Sequence, residues 1–172
     1  MRFTILLTVV TLALTASVLT AAALATTDGG AVIKVGQSEV GRVLVDSHRK
    51  TLYMWAHDKG SRSTCYGTCA SYWPPVTTTG KPVARSGAKS ALLGTTRRSD
   101  GRKQVTYHGH PLYRFSLDKR PGQANGEGLT DFGGRWDPVN AAGKAVRTAT
   151  DDTGYGYKTP APVKAVVLTP AG

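Results

Sequence analysis

The stretch "TLYMWAHDK" (residues 51–59) returns, altered, as "PLYRFSLDK" (residues 111–119). Both read Leu-Tyr-x-aromatic-x-x-Asp-Lys. At this offset of 60, residues 44–59 and 104–119 agree at Val45/Val105, His48/His108, Leu52/Leu112, Tyr53/Tyr113, Asp58/Asp118 and Lys59/Lys119. Trp55 faces Phe115 as aromatic for aromatic. A second block follows in the same order: "WPPVTTTGKPV" (73–83) matches "WDPVNAAGKAV" (136–146) in Trp73/Trp136, Pro75/Pro138, Val76/Val139, Gly80/Gly143, Lys81/Lys144 and Val83/Val146. Two ordered blocks mean a duplicated unit. Each copy reads hairpin, Tyr-x-aromatic strand, variable loop, Trp-x-Pro-Val strand and Gly-Lys turn. A unit this small cannot bury its aromatic face alone. The sequence therefore predicts a mostly β domain: two tandem, hairpin-rich antiparallel units, packed about a pseudo-twofold with their aromatic faces against each other.

In a strand, Tyr53 and Trp55 point to one side and Leu52, Met54 and Ala56 to the other. Both sides are apolar, which places this strand centrally. Asp58 falls where the strand ends, a position from which Asp commonly fixes a turn by accepting backbone N–H groups. Tyr53, Trp55, Asp58, Tyr113, Phe115 and Asp118, with Trp73 and Trp136, form the candidate site. They read either as an aromatic core with two Asp-stapled turns or as a ligand platform of rings and carboxylates. A buried Tyr hydroxyl needs a partner, and the motif Asp is the candidate.

The rest of the chain fits this outline. After residue 25 no segment sustains a 3.6-residue apolar period over a dozen positions. Short strand-like runs recur instead, at 31–35, 42–46, 51–55, 92–96, 103–107, 111–115 and 136–139. Turn signals divide them: Asp100-Gly101 marks a hairpin, and Gly109 separates two further runs. The expected organisation is a leader (1–25), a lead-in strand (26–40), the first repeat unit (41–83), a connector with a strand (84–100), the second unit (101–146) and a polar, Pro-rich tail (147–172). Within the tail, "KAVVL" is a candidate edge strand.

"MRFTILLTVVTLALTASVLTAAALA" has one charge, a long apolar run and a small-x-small ending, the layout of a secretory signal peptide cleaved after Ala25. The alternative is a retained membrane anchor, for which the run is long enough. Either places the rest outside the cytoplasm, secreted or associated with the envelope. The formal net charge is +11, and the leader contributes only Arg2 to it. A cationic exported protein is drawn to anionic wall polymer or an anionic membrane surface; the alternative is a soluble, self-repelling surface. Nucleic acid is not an expected partner, since no basic helix is apparent. The basic residues, Arg97-Arg98 among them, mostly flank turns. Cys65 and Cys69, in "STCYGTCASYW", read as a short-loop disulfide in an oxidising compartment.

The chain resembles a bacterial family of secreted, lipoprotein-type repeats that carry a duplicated Y-x-[FWY]-x-x-D motif. The motif stands here as Tyr53-x-Trp55-x-x-Asp58 and Tyr113-x-Phe115-x-x-Asp118. "GRVLVDSHRKTLY", "STCYGTCASYWPP", "GHPLY", "DKRPGQANGEGL" and "GGRW" extend the resemblance over roughly residues 30–147. It implies tandem repeats and an extracytoplasmic location, and no known activity. Relatives with a lipid-anchoring cysteine differ from this chain, which has none at the end of its leader.

Signals for catalysis are weak. There is no G-x-S-x-G, and Ser86-x-x-Lys89 lacks the companion motifs of S-x-x-K enzymes. Asp46, Asp58, Asp118, Glu127 and Asp131 offer carboxylates, but nothing selects a pair for glycoside chemistry. No P-loop or dinucleotide fingerprint occurs. His48, His57, His108 and His110 flank the motif strands and, with reduced Cys65 and Cys69, are candidates for copper or zinc. No cofactor is expected on the preferred reading. That reading is an exported, non-catalytic envelope or extracellular binding module. Its rival is an extracytoplasmic redox or metal-handling protein that uses the cysteine pair and the histidines.

Overall fold

A computed structural model describes residues 29–148. The leader and all but the first two residues of the tail, "KAVVL" included, lie outside the described residues. The elements are β1 (Val32–Ser38), β2 (Gly41–Val45), β3 (Tyr53–Trp55), α1 (Thr68–Tyr72), β4 (Val83–Arg85), β5 (Leu93–Arg97), β6 (Lys103–Tyr107), β7 (His110–Pro111), β8 (Thr130–Asp131) and β9 (Gly134–Pro138), with a 3-10 turn at Ser90–Leu92. They form three three-stranded sheets, ordered β2-β1-β4, β3-β9-β8 and β5-β6-β7.

Local chemistry sets the hairpins. The β1–β2 turn is tied by Ser38, whose Oγ donates to the Gly41 carbonyl and accepts the Val40 N–H. The β5–β6 hairpin closes over Asp100-Gly101, with Arg97 opposite Lys103. Between β6 and β7 only His108 and Gly109 intervene, both at positive φ (49° and 80°), the geometry of a type I′ turn that follows the twist of the strands. One pairing departs from the antiparallel expectation: β1 and β4 run parallel, Val32 opposite Val83.

The repeats are joined by exchange. The Tyr strand of the first copy, β3, pairs with β9, the Trp-x-Pro-Val strand of the second, with Tyr53 opposite Pro138 and Trp55 opposite Trp136. Reciprocally, Tyr113 bridges Pro75, Arg114 N–H donates to the Pro74 carbonyl at 2.9 Å, and Val76 N–H donates to the Leu112 carbonyl at 2.9 Å. The two Tyr segments also bond each other: Tyr53 N–H to Tyr113 O at 2.9 Å, and Tyr113 N–H to Tyr53 O at 3.0 Å.

Two buried clusters result. Ile33, Leu44, Leu52, Val76, Val105, Tyr107, Leu112 and Val139 form an aliphatic one. Tyr53, Trp55, Cys65, Cys69, Trp73, Tyr113, Phe115 and Trp136 form an aromatic one, fed by both copies. Inside it Trp55 stacks on Trp136 (centroids 4.8 Å apart), Trp136 on Trp73 (3.9 Å) and Trp73 on Phe115 (4.3 Å). Tyr53 and Tyr113 meet this pile edge-on. The three indole N–H groups are buried without a hydrogen-bond partner. Ring packing therefore outweighs a desolvation cost of about 1–3 kcal/mol for each unpaired donor.

Three further features differ from the sequence reading. The run 111–115 contributes only Pro111 to a ladder, and its Tyr113 is held by isolated bridges. Its partner, Trp73-Pro74-Pro75-Val76, has two prolines without N–H groups, so no regular ladder can form there. The helix α1 was not signalled by periodicity, because five residues are too few to show any. In the first hairpin the counterparts shift by one residue. Leu44, not Val45, takes the role of Val105: Leu44 N–H donates to Val139 O as Val105 N–H does to Val76 O.

Candidate functional site

The motif residues converge, and they do so across the repeats. Tyr53 Oη donates to Asp118 Oδ2 at 2.6 Å, and Tyr113 Oη donates to Asp58 Oδ2 at 2.6 Å. Each tyrosine is thus partnered by the aspartate of the other copy, where its own lies five residues away. The reason is the strand exchange, which sets the two Tyr segments side by side.

Each aspartate does a second job, inside its own copy. Asp58 Oδ1 accepts the N–H (2.8 Å) and hydroxyl (3.1 Å) of Thr64. Asp118 Oδ1 accepts the N–H (2.9 Å) and side-chain amide (3.1 Å) of Asn125. Both carboxylates therefore staple the start of the variable loop, as expected of an Asp at a strand end. Burial holds the pKa of both above the ordinary Asp value, although the hydrogen bonds they accept pull the other way. Burial, then the neighbouring Asp118 or Asp58, pushes the two phenols far above the ordinary tyrosine value. At neutral pH the phenols are neutral donors to the two carboxylates.

Beside Asp58 lies a network that no sequence signal marked. Arg98, 3% exposed, donates to Ser63 Oγ (2.7 Å), Gln104 Oε1 (2.7 Å) and the Cys65 carbonyl (2.6 Å), and pairs with Asp100 (3.2 Å). Its guanidinium sits 4.3 Å above the centre of the Tyr66 ring. Ser63 and Tyr113 hydroxyls are 2.9 Å apart, which links the network to the motif. In sequence Arg98 is one half of a surface-like "RR". In the fold it is a buried five-donor fork holding the cysteine loop. Only the polar, turn-forming setting of "RRSDG" was legible.

Cys65 and Cys69 form a disulfide. The bond closes off both thiolates, and its loop carries Tyr66 and the start of α1. The histidines separate. His48 and His108 are exposed in hairpin turns, His57 stacks on Trp55 (centroids 4.9 Å), and His110 lies in β7. Among the described residues no three His, Cys, Asp or Glu side chains group as metal ligands. Glycines let the site close. A Cβ at Gly126 would lie 2.6 Å from Trp73, so "NG" at 125–126 is a turn with a packing requirement added.

Tyr53, Tyr113, Trp73 and Trp136 are fully buried, and Trp55 and Phe115 nearly so. These rings face each other, and two carboxylates tie them to the loops. Comparison with known proteins also finds two copies in the chain. No curated protein and no solved structure matches the chain. The profile of a family described as a secreted repeat of unknown function matches twice, at residues 34–77 and 94–140, each match containing one Tyr-x-aromatic-x-x-Asp motif. With more than half its length matched in two copies, the chain belongs to this family of secreted repeats.

Proposed function

We propose that the protein is a non-catalytic module that associates with an anionic polymer of the cell envelope through its outer surface. One observation carries this reading: among the described residues the fold buries four of eight carboxylates but only one cation, Arg98. Asp46, Asp118, Glu127 and Asp137 are buried. Arg114 bonds Asp46, and Arg135 and Arg147 bond Asp137. Of the two exposed acids among the described residues, Asp100 is engaged by Arg98 and Arg102, and Glu39 accepts the Ala124 N–H. Meanwhile Arg42, Lys59, Lys81, Lys89, Lys103 and Lys119 are exposed. The exterior is therefore more positive than composition alone requires, and an extended polyanion can meet it along many contacts.

No specific observation favours the rival metal-handling reading. Its soft ligands would be Cys65 and Cys69, which are bonded to each other.

Cosedimentation with isolated cell walls tests the proposal. The purified protein should pellet with walls at low salt and for the most part release at high salt, because the screening length falls to about 3 Å at 1 M. It should also pellet far less at low salt once the anionic polymer is extracted. Equal pelleting with extracted and intact walls at low salt would refute it.

A further inference from the structure

The hairpin between β8 and β9 has a two-residue loop, Phe132-Gly133, with Asp131 opposite Gly134. Both loop residues have positive φ, 55° and 87°. Such a loop favours Asn, Asp or Gly in its first place. A bulky aromatic there is an outlier, and backbone strain of this kind collects where a side chain is needed for something other than stability. Phe132 does not repay the strain by burial, since it is 43% exposed. Its ring leans towards Tyr72 at the end of α1, with centroids 6.3 Å apart and planes at 39°, and Tyr72 is 49% exposed. Leu117 is the remaining exposed large apolar side chain among the described residues. It follows Ser116, whose N–H donates to the Tyr72 carbonyl at 2.8 Å. The exposed large apolar side chains thus gather on neighbouring stretches of backbone.

We propose that Tyr72 and Phe132 form a sugar-stacking site that takes the neutral glycan backbone of the cell wall. This deepens the reading above and rests on it. The cationic exterior attracts a polyanion without discriminating among polyanions, whereas an aromatic pair reads ring shape. The setting fits a sugar better than a lipid or a protein partner. Both rings are about half exposed, while their borders can form hydrogen bonds: Thr130 and Asp131 lie in the same hairpin, and the His57 imidazole sits under the loop, 3.7 Å from where a Gly133 side chain would begin. A pyranose has that division, with an apolar C–H face and a rim of hydroxyls. The exposed cations named above suit the anionic polymer attached to such a glycan.

The experiment uses Phe132→Asn. Asn is favoured in this turn, so the variant should melt at the wild-type temperature or higher. The probe is wall glycan stripped of its anionic polymer, at high salt, where the electrostatic attraction is screened. Wild type should keep a measurable affinity for it, and Phe132→Asn should lose about tenfold or more. Tyr72→Ser should lose a similar factor. Both variants should still pellet with intact walls at low salt. Unchanged affinity of Phe132→Asn for stripped glycan overturns the proposal, as does wild type that does not bind stripped glycan at all. So does a loss confined to vesicles of anionic lipid, which would assign the rings to a membrane. Loss of low-salt pelleting with intact walls by wild type would instead strike the polyanion reading, so the two failures are distinguishable.

Discussion

A tyrosine hydroxyl buried beside a carboxylate is a small unit, yet here it decides how two copies fit. Tyr53 reaches Asp118 and Tyr113 reaches Asp58, both at 2.6 Å. The crossed arrangement makes an energetic signature that an uncrossed one would not. In a double-mutant cycle, Tyr53→Phe with Asp118→Asn should couple by about 0.5–3 kcal/mol in urea unfolding, and Tyr53→Phe with Asp58→Asn should couple by less. Equal coupling in both cycles would sink the pairing. The same aspartates give a pH dependence of unusual sign. Their folded-state pKa values are raised by burial, so the folded protein holds their protons more tightly than the unfolded chain does. Stability from this source rises as pH falls from the raised folded values to the ordinary carboxylate value, and at neutral pH the burial penalty stands in full. His110 acts oppositely near the ordinary histidine range, because burial and then the neighbouring His108 depress its pKa. The Asp58 charge pulls His110 the other way, so the comparison with Asp58→Asn/Asp118→Asn is read below the histidine range, where His110 is protonated in both proteins. Melting temperatures followed against pH should show wild type gaining on the double variant as the solution is acidified through the window; a flat or falling difference would contradict the burial argument.

At the scale of elements, the duplicated text was legible because it carries the core. Leu52, Tyr53, Trp73, Leu112, Tyr113, Trp136 and Val139 are all fully buried, and all lie in the matched blocks. Alternation placed β6 at Lys103–Tyr107, the same residues as the run read from sequence. What was not legible has physical causes. Register within a hairpin depends on loop length, and the first hairpin holds one residue more than the second, so equal letters at Val45 and Val105 are not equal places. Partner choice is a tertiary fact: nothing in "WDPV" says that it pairs with Tyr53 and not Tyr113. Buried polar groups are the hardest of all. Arg98 reads as a surface cation, and the convergence of Ser63, Gln104, the Cys65 carbonyl and Asp100 makes its burial tolerable. The candidate site was therefore visible as a set of residues, but not as a crossed pair of bonds.

For the whole molecule, strand exchange means that neither copy is a folding unit. The β3 strand finds its ladder in β9, the Trp73–Val76 segment finds its partners at Leu112–Arg114, and the indole stack alternates between copies, with Trp136 of the second between Trp55 and Trp73 of the first. Cutting the chain in the connector, between Gly87 and Ala88, would leave each half with an exposed aromatic face and unpaired strand edges. Halves of roughly 60 residues that bury little of their own surface lack the core needed to offset chain entropy. Expressed apart, residues 26–87 and 88–148 should each give the far-ultraviolet spectrum of a largely unfolded chain and no near-ultraviolet tryptophan signal. Mixed in equal amounts they should recover that signal, since the stacked indoles form only when Trp136 slots between Trp55 and Trp73. Recovery should be lost with Trp136→Ala in the second fragment. An isolated half that shows the tryptophan signal by itself would mean that each copy can close its own aromatic face, and the crossed Tyr–Asp bonds would then be a detail of packing and not the basis of the fold.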